Sequence, residues 1–360
     1  MPVTTGMKGA GFYDKHSTAQ LASIRLVFDW IENDIADMPL PQDPLSFTVL
    51  DLGCSEGRNA LIAMSRIVES VRRRRANQLI HTIYSDLPSN NFNRLFLNLQ
   101  EARTADGIPA GVYASAAAGS FYEPLMPPRS VHFAMCFNAL LWLDVLPAVS
   151  VPDFVVYRRQ HPPRPGLHVS QETADAFARQ ADRDLVRFLK CRADELMPGG
   201  KLLIVSPGDA AEHRLADGLY DALNDACLDL VASGRLPRQR YERFTMPLYF
   251  RTVAEMLAPL ERDGSPVKGA FTVDRAETLE VPTPFLIEFD RSSDAAKLAD
   301  DFTGFLRAFS EPVARAAFVG DNGDSAILDE LYGRIHARVK EEPGCYRFRY
   351  LLTATLFTRR

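Results

Sequence analysis

The sequence predicts a doubly wound α/β sheet carrying a helical cap, and three observations lead there. From residue 47 to about 206, short apolar runs alternate with stretches of helical periodicity, the mark of a mostly parallel sheet with helical crossovers. Two successive apolar runs each end in a carboxylate, Asp51 and Asp86, as strands do where an open sheet binds a ligand at its carboxyl edge. After residue 210 the pattern turns mainly helical, which supplies the cap.

Taken in order, residues 1–20 are polar, carry Gly6, Gly9 and Gly11, and read as an arm. A helix follows from near Ser17; Leu21, Ile24, Leu26, Val27, Trp30 and Ile31 make residues 21–37 amphipathic by spacing. Strands are expected at 47–52, 81–85, 131–136 and 201–205. The helix at 174–196 places Phe177, Ala181, Leu185, Phe188 and Leu189 on one face. Pro198-Gly199-Gly200 then stops it sharply. Pro152, Pro162, Pro163 and Pro165 make 151–170 a loop. Leu215, Leu219, Leu223 and Leu230 head a helix towards Gly234, with a second helix at 250–260 and more helix over 295–342. Late strands are expected near 270–280 and 346–357. The organisation that follows is an arm (1–20), a core (21–209 with 266–360) and a cap (210–265 with part of 295–342).

The length of 360 residues fits about two domains or one elaborated α/β unit. A net charge of −5 argues against a nucleic-acid surface. The run Arg72-Arg73-Arg74-Arg75 falls near the end of the helix after Asn59, where cations suit the helix dipole, and reads as a solvated face. Five scattered cysteines without a C-x-x-C pair suit reduced thiols. Seven histidines form no H-x-x-x-H pattern, and no metal is expected. No run reaches membrane-span length and no apolar signal core opens the chain, so a cytoplasmic protein is expected.

The most informative stretch is Phe47-Thr48-Val49-Leu50-Asp51-Leu52-Gly53-Cys54-Ser55-Glu56-Gly57-Arg58-Asn59. A strand runs into a carboxylate and a small-residue turn, and Gly53 lets the backbone approach a ligand. The turn lacks the third glycine of a dinucleotide fingerprint and the Lys-Ser/Thr pair of a triphosphate cradle. A nicotinamide dehydrogenase is thereby excluded. An adenosyl cofactor without phosphate fits, and S-adenosylmethionine is the candidate. Asp86, in His81-Thr82-Ile83-Tyr84-Ser85-Asp86-Leu87-Pro88, is the usual kind of partner for ribose hydroxyls. Read alone, Asp86 is equally a turn residue before Pro88, and Asp51 a buried strand-end acceptor. Neither reading explains why both end successive strands.

Five collinear segments resemble the SABATH methyltransferases, a family that methylates carboxyl groups of salicylic, benzoic and related acids and ring nitrogens of xanthines. They are Met7-Lys8-Gly9 with Tyr13, Ser17 and Gln20; Asp51 to Leu61; Asp86-Leu87-Pro88-Ser89-Asn90-Asn91-Phe92-Asn93; Gly119-Ser120-Phe121-Tyr122; and Leu140-Leu141-Trp142-Leu143 with Arg192 to Gly200. The resemblance is close over residues 7–206 and thin beyond. It implies a class I methyltransferase fold, Rossmann-like, using S-adenosylmethionine and releasing S-adenosylhomocysteine. By position, Ser17, Asp51 and Asn59 hold the methionine part and the loop, Asp86 takes the ribose, and Leu87, Ser120 and Phe121 enclose the adenine. Gln20 and Trp142 bind the acceptor carboxylate, to which an amide N–H and an indole N–H are suitable donors. Lys8 closes from the arm. Without that register, Trp142 reads as core and Gln20 as a surface helix residue.

The reaction expected is in-line methyl transfer to a small carboxylic acid, with no general base. The departures are Asn138, where the family commonly has Tyr, and Leu141, where it has His or Met; they point to an acid with a second polar group near Asn138. Glu242-Arg243-Phe244-Thr245 lacks the amide that some relatives use near a divalent ion. Two alternatives stay open: an N-methyltransferase on a purine-like ring, and a non-catalytic adenosyl-cofactor-binding partner protein. Homodimers are usual among relatives; nothing in this sequence establishes one.

Overall fold

The computed structural model describes residues 6–42, 45–104, 109–149, 151, 153–157, 169–210, 217–319 and 324–360. The expected Pro152, Pro162, Pro163 and Pro165 loop positions, Leu215 and residues 1–5 lie outside them.

Three short helices open the chain: α1 (Phe12–His16), α2 (Thr18–Arg25) and α3 (Phe28–Asp37). Then come β1 (Phe47–Leu52), α4 (Arg58–Arg74), β2 (Ile80–Asp86), α5 (Phe92–Thr104), β3 (Val112–Ala118), β4 (Val131–Phe137), α6 (Gln171–Glu195) and β5 (Leu196–Pro207). The rest is α7 (Asp217–Ala232), α8 (Arg238–Glu242), α9 (Val253–Glu261), β6 (Phe271–Val281), α10 (Pro284–Ser292), α11 (Ala295–Phe318), α12 (Ala326–Glu341) and β7 (Tyr350–Arg359).

The seven strands form one sheet in the order β3-β2-β1-β4-β5-β7-β6. The first five are parallel; β7 runs antiparallel between β5 and β6. Strand order reverses between β1 and β4, which opens a crevice above their carboxyl ends. Alternate residues of the central strands go to opposite faces, as the two-residue period of a strand requires. Val49, Phe133, Met135 and Leu203 join one apolar cluster, which also takes in α4 and the late helices. Leu50, Leu52, Ala134, Leu202 and Ile204 join the other, with Leu185, Phe188 and Leu189 of α6 and Met256 and Leu260 of α9.

Several expectations are corrected. The single helix over 21–37 is two helices, α2 and α3, broken at Leu26-Val27. Ile24, Val27, Trp30 and Ile31 are buried while Leu26 is exposed, because the break lets α2 face the crevice and α3 pack on α4. Strand β3 was not expected: its sequence Val112-Tyr113-Ala114-Ser115-Ala116-Ala117-Ala118 is poor in β-branched residues. It is an edge strand paired only with β2 among the described residues. Strand β5 begins at Leu196 rather than 201, and its pairing with β4 slips across Pro198-Gly199-Gly200. The helix at 253–261 packs on α6, β6 and β7, on the sheet rather than with the other late helices. Among those, α7 packs with α8 and α12, and α11 with α1, α10 and α12.

The arginines of 72–75 lie on a partly solvated face, Arg73 and Arg74 being exposed, and three of them also reach carbonyls of neighbouring segments. Arg74 donates to the carbonyls of Ile35 and Met38 at the end of α3, Arg75 to Pro41, and Arg72 to Ala110. These bonds tie the end of α4 to neighbouring segments. No helix among the described residues is long and apolar enough to cross a membrane.

Candidate active site

The crevice above β1 and β4 opens into three adjoining lobes, with volumes of about 680, 450 and 370 Å³. Tyr13 and Asn138 line all three, so the lobes form one hollow that meets at this pair.

The turn after β1 shapes the floor. Gly53 has φ +92, and a Cβ there would sit 2.6 Å from that of Ala139. Gly57 has φ +94, and a Cβ would come within 2.3 Å of Leu95. Neither position accepts a side chain, and Gly53 lines the largest and smallest lobes. The turn is then tied down from outside. Asn90 Nδ2 donates to the Ser55 carbonyl, and Asn98 Nδ2 to that of Glu56. The Glu56 carboxylate, itself buried, accepts from the Gly11 N–H of the arm at 2.9 Å and from Asn91. The asparagine-rich stretch after β2 and the hidden Glu56 thus lock arm and turn together.

In the largest lobe Asp86 stands at the end of β2. Its Oδ2 accepts from the Ser55 N–H at 2.6 Å and its Oδ1 from the Leu87 N–H at 2.7 Å, so backbone donors fix the carboxylate with lone pairs left for a ligand. Leu87, Ser120 and Phe121 share this lobe. Phe121 packs edge-on against Tyr122 and Phe188. Its loop is held by fully buried Arg192, which donates to the carbonyls of Phe121 and Glu123 and pairs with Glu195 at 2.8 Å.

The smallest lobe holds Asp51, Gly53, Asn59 and Gln20. Asn59 Nδ2 donates to Ser17 Oγ at 3.0 Å, which places buried Ser17 behind the lining rather than in it. Burial raises the Asp51 carboxyl to about 8, with the Asp86 charge adding to it. Burial likewise raises Asp86 to about 6, against the pull of its two backbone donors. Two carboxyls enclosed this closely do not both ionise readily.

The third lobe is mostly apolar. Leu141, Pro207, Leu219, Phe305 and Phe309 line it, with Gln20, Trp142, Tyr220 and Tyr350 contributing polar atoms. Gln20 is 5% exposed and its Oε1 has no partner among the described residues, a cost of about 1–3 kcal/mol unless a ligand satisfies it. Trp142 sits between this lobe and the largest one; Tyr122 Oη donates to its carbonyl at 2.6 Å.

The structure therefore brings together Gln20, Asp51, Gly53, Asn59, Asp86, Leu87, Ser120, Phe121, Asn138, Leu141 and Trp142. It does not bring Lys8: the ammonium pairs with Glu311 of α11 at 2.5 Å, and Met7 lines the hollow instead. Glu311 is a buried carboxylate that also holds Arg307 and Arg315, and it draws Lys8 away. Tyr220, Phe305, Phe309 and Tyr350 were missed, because their helical or strand spacing carries no sign of which cavity they face. Tyr13 was visible only as part of the arm motif. No group of three or more His, Cys, Asp or Glu among the described residues is arranged to hold a metal ion.

A family model described as "SAM dependent carboxyl methyltransferase" matches residues 3–360. Gibberellic acid methyltransferase 2 of Arabidopsis thaliana is 28% identical over 70% of this chain and 69% of its own. Indole-3-acetate O-methyltransferase 1 of the same plant is 26% identical over 98% of this chain and 94% of its own. A solved structure of loganic acid methyltransferase with SAH superposes with a TM-score of 0.80 at 25% identity, covering 98% of each chain.

Proposed function

The chain belongs to the SAM-dependent carboxyl methyltransferase family, and from that premise we propose how its own residues make the methyl ester of a small carboxylic acid. When bound, S-adenosylmethionine supplies a sulfonium-activated methyl group, which passes to a carboxylate oxygen and leaves S-adenosylhomocysteine and an ester. The observation that carries the assignment of roles is the single hollow meeting at Tyr13 and Asn138, with carboxylates on one side and an apolar lobe on the other.

Asp86 accepts from the ribose hydroxyls, while Leu87 and Phe121 cover the two faces of the adenine and Ser120 borders it. Asp51 and Asn59 hold the methionine end, with Ser17 fixing Asn59, and the open backbone at Gly53 lets the cofactor approach. The two buried carboxyls suit a cationic ligand, which favours their charged forms. Gln20 and Trp142 orient the acceptor carboxylate from the border of the lobes, with Asn138 and Leu141 beside them. An acid is already ionised near neutral pH, so no general base is required. Positioning is the main contribution: holding reacting groups in register is worth roughly 7–11 kcal/mol in well-oriented systems.

The cap in this reading consists of α7, α8, α10, α11 and α12, and with the arm it shields the reaction from water. Lys8 then acts by tethering the arm to Glu311 rather than by touching substrate. All five cysteines are free, as in a reducing compartment, which supports a cytoplasmic setting. A homodimer rests on the family resemblance alone, and light scattering tests it.

The deciding experiment is labelled methyl transfer across aromatic, aliphatic and alicyclic acids, with xanthines alongside. Base-labile label on an acid is expected. In Trp142→Phe, loss of one donor to a charged group should lower kcat/KM for that acid by about 10–150-fold while cofactor affinity holds. Base-stable label confined to xanthines would move transfer to nitrogen. Cofactor binding with no labelled product from either class would favour a non-catalytic binder.

A further inference from the structure

The acceptor lobe contains a directed chain of hydrogen bonds that none of the roles above uses. It begins at Ser23 of α2, whose hydroxyl donates to the Gln20 carbonyl at 2.6 Å. With that proton committed, Ser23 Oγ accepts from Asn138 Nδ2 at 2.9 Å, and the 3.3 Å approach to Asn138 Oδ1 is left without a proton. The Asn138 amide is thereby oriented. Its Oδ1 accepts from the Tyr350 hydroxyl at 2.9 Å. Tyr350 has only one proton and spends it there, so its oxygen faces the rest of its surroundings as an acceptor.

Three features make this arrangement rigid. Asn138 has φ +54 just past β4, a conformation asparagine tolerates better than most residues. Tyr350 begins β7 and is 6% exposed, with its ring edge-on to Phe305. Burial holds its hydroxyl well above the ordinary tyrosine pKa, Tyr13 and Tyr220 adding to the shift, so the phenol stays neutral. Leu141, Leu219, Phe305 and Phe309 form the apolar part of the lobe wall, and Tyr13, Gln20, Trp142 and Tyr220 line it as well.

We propose that Tyr350, held by Asn138 and Ser23, is a specificity-determining residue. Its phenol oxygen is a fixed acceptor that selects carboxylic acids carrying a second group with a hydrogen-bond donor, a hydroxyl or an N–H. An apolar acid offers nothing to the oxygen's accepting lone pair, and an acid with a carbonyl there sets two acceptors against each other. The second polar group expected beside Asn138 is thus read by Tyr350, and the asparagine is a positioning residue. This inference rests on the carboxyl-transfer reading of the site.

The test is competition for labelled methyl between acids matched in shape, one member bearing a hydroxyl or N–H and the other a methyl or a carbonyl. In the wild type the donor-bearing member of the best pair should be preferred by about tenfold or more, as one satisfied buried hydrogen bond allows. Tyr350→Phe keeps the ring and should bring that ratio close to one. Asn138→Gly suits the positive φ and frees the phenol proton, so carbonyl-bearing acids should gain on their partners, a change no loss of packing would produce. If acids are esterified but no pair is discriminated, or Tyr350→Phe keeps the wild-type ratio, the assignment of Tyr350 is overturned and the carboxyl-transfer reading stands. If no acid is esterified, that reading fails and the assignment fails with it.

Discussion

On the side we assign to the cofactor, the lining groups sit at or just beyond a strand end: Asp51 and Gly53 at β1, Asp86 and Leu87 at β2, Ser120 and Phe121 after β3. On the side we assign to the acceptor, the walls come from parts of the chain that are far apart: Gln20 from α2, Tyr220 from α7, Phe305 and Phe309 from α11, Tyr350 from β7. The first half is local chemistry displayed by a parallel sheet, and backbone donors hold its key carboxylate. The second half exists only because the arm and late helices close over the sheet. A site built in this way can keep one cofactor while its acceptor pocket changes by substitutions in the cap.

Asp86→Ala should break this comparison most strongly on the cofactor side. Removing a charged acceptor for two hydroxyls should weaken S-adenosylhomocysteine binding by about 100-fold or more, measured by titration calorimetry, with relative preference among acids unchanged. A loss under about tenfold would mean that the ribose is held elsewhere.

The pH dependence of cofactor binding should sharpen the same side. Asp51 and Asp86 are raised by burial to about 8 and about 6. A cationic cofactor favours their ionised forms, so its binding releases protons. Affinity should fall by up to about tenfold per pH unit as pH drops below 8, and more steeply below 6. The folded protein binds more protons here than the unfolded chain between the ordinary carboxyl range and pH 8. The contribution of these groups to stability therefore falls as pH rises through that window. Asp51→Asn should flatten both profiles; a wild-type affinity that is constant from pH 6 to 8.5 would refute the assignment.

The smallest effect belongs to the arm. Lys8→Gln weakens the tie to Glu311 while leaving that carboxylate its pairs with Arg307 and Arg315; the Lys8 side chain keeps 23% of its exposure, and partly exposed ion pairs contribute about 0.2–1 kcal/mol. A rise in KM for the acid of about two- to fivefold is expected, with cofactor affinity nearly constant, read from steady-state kinetics. An equal loss in both would show that the arm serves the two sides alike.

Legibility in the sequence follows the same division. The strands β1, β2 and β4 and the α6 face were readable because a buried parallel strand is a short apolar run and a packed helix repeats every three to four residues. The edge strand β3 escaped because its alanines carry little strand signal. The break at Leu26-Val27 escaped because both halves of that helix keep helical spacing. Around the site, Lys8 could be placed on the arm but not in space, since its destination is set by a buried carboxylate 303 residues away.

By itself, then, the sequence determined the alternation that makes a parallel sheet, the carboxylates and glycines at its strand ends, and the family register from the arm to Trp142. Those are properties of neighbouring residues, set by periodicity and by backbone conformations that few residue types accept. Only the tertiary structure decided that Tyr13 and Asn138 join three lobes, that Lys8 turns to Glu311, and that Tyr350 spends its proton on Asn138. These depend on side chains that meet across the fold, and the direction of a hydrogen bond is set by which partners close packing leaves to each atom.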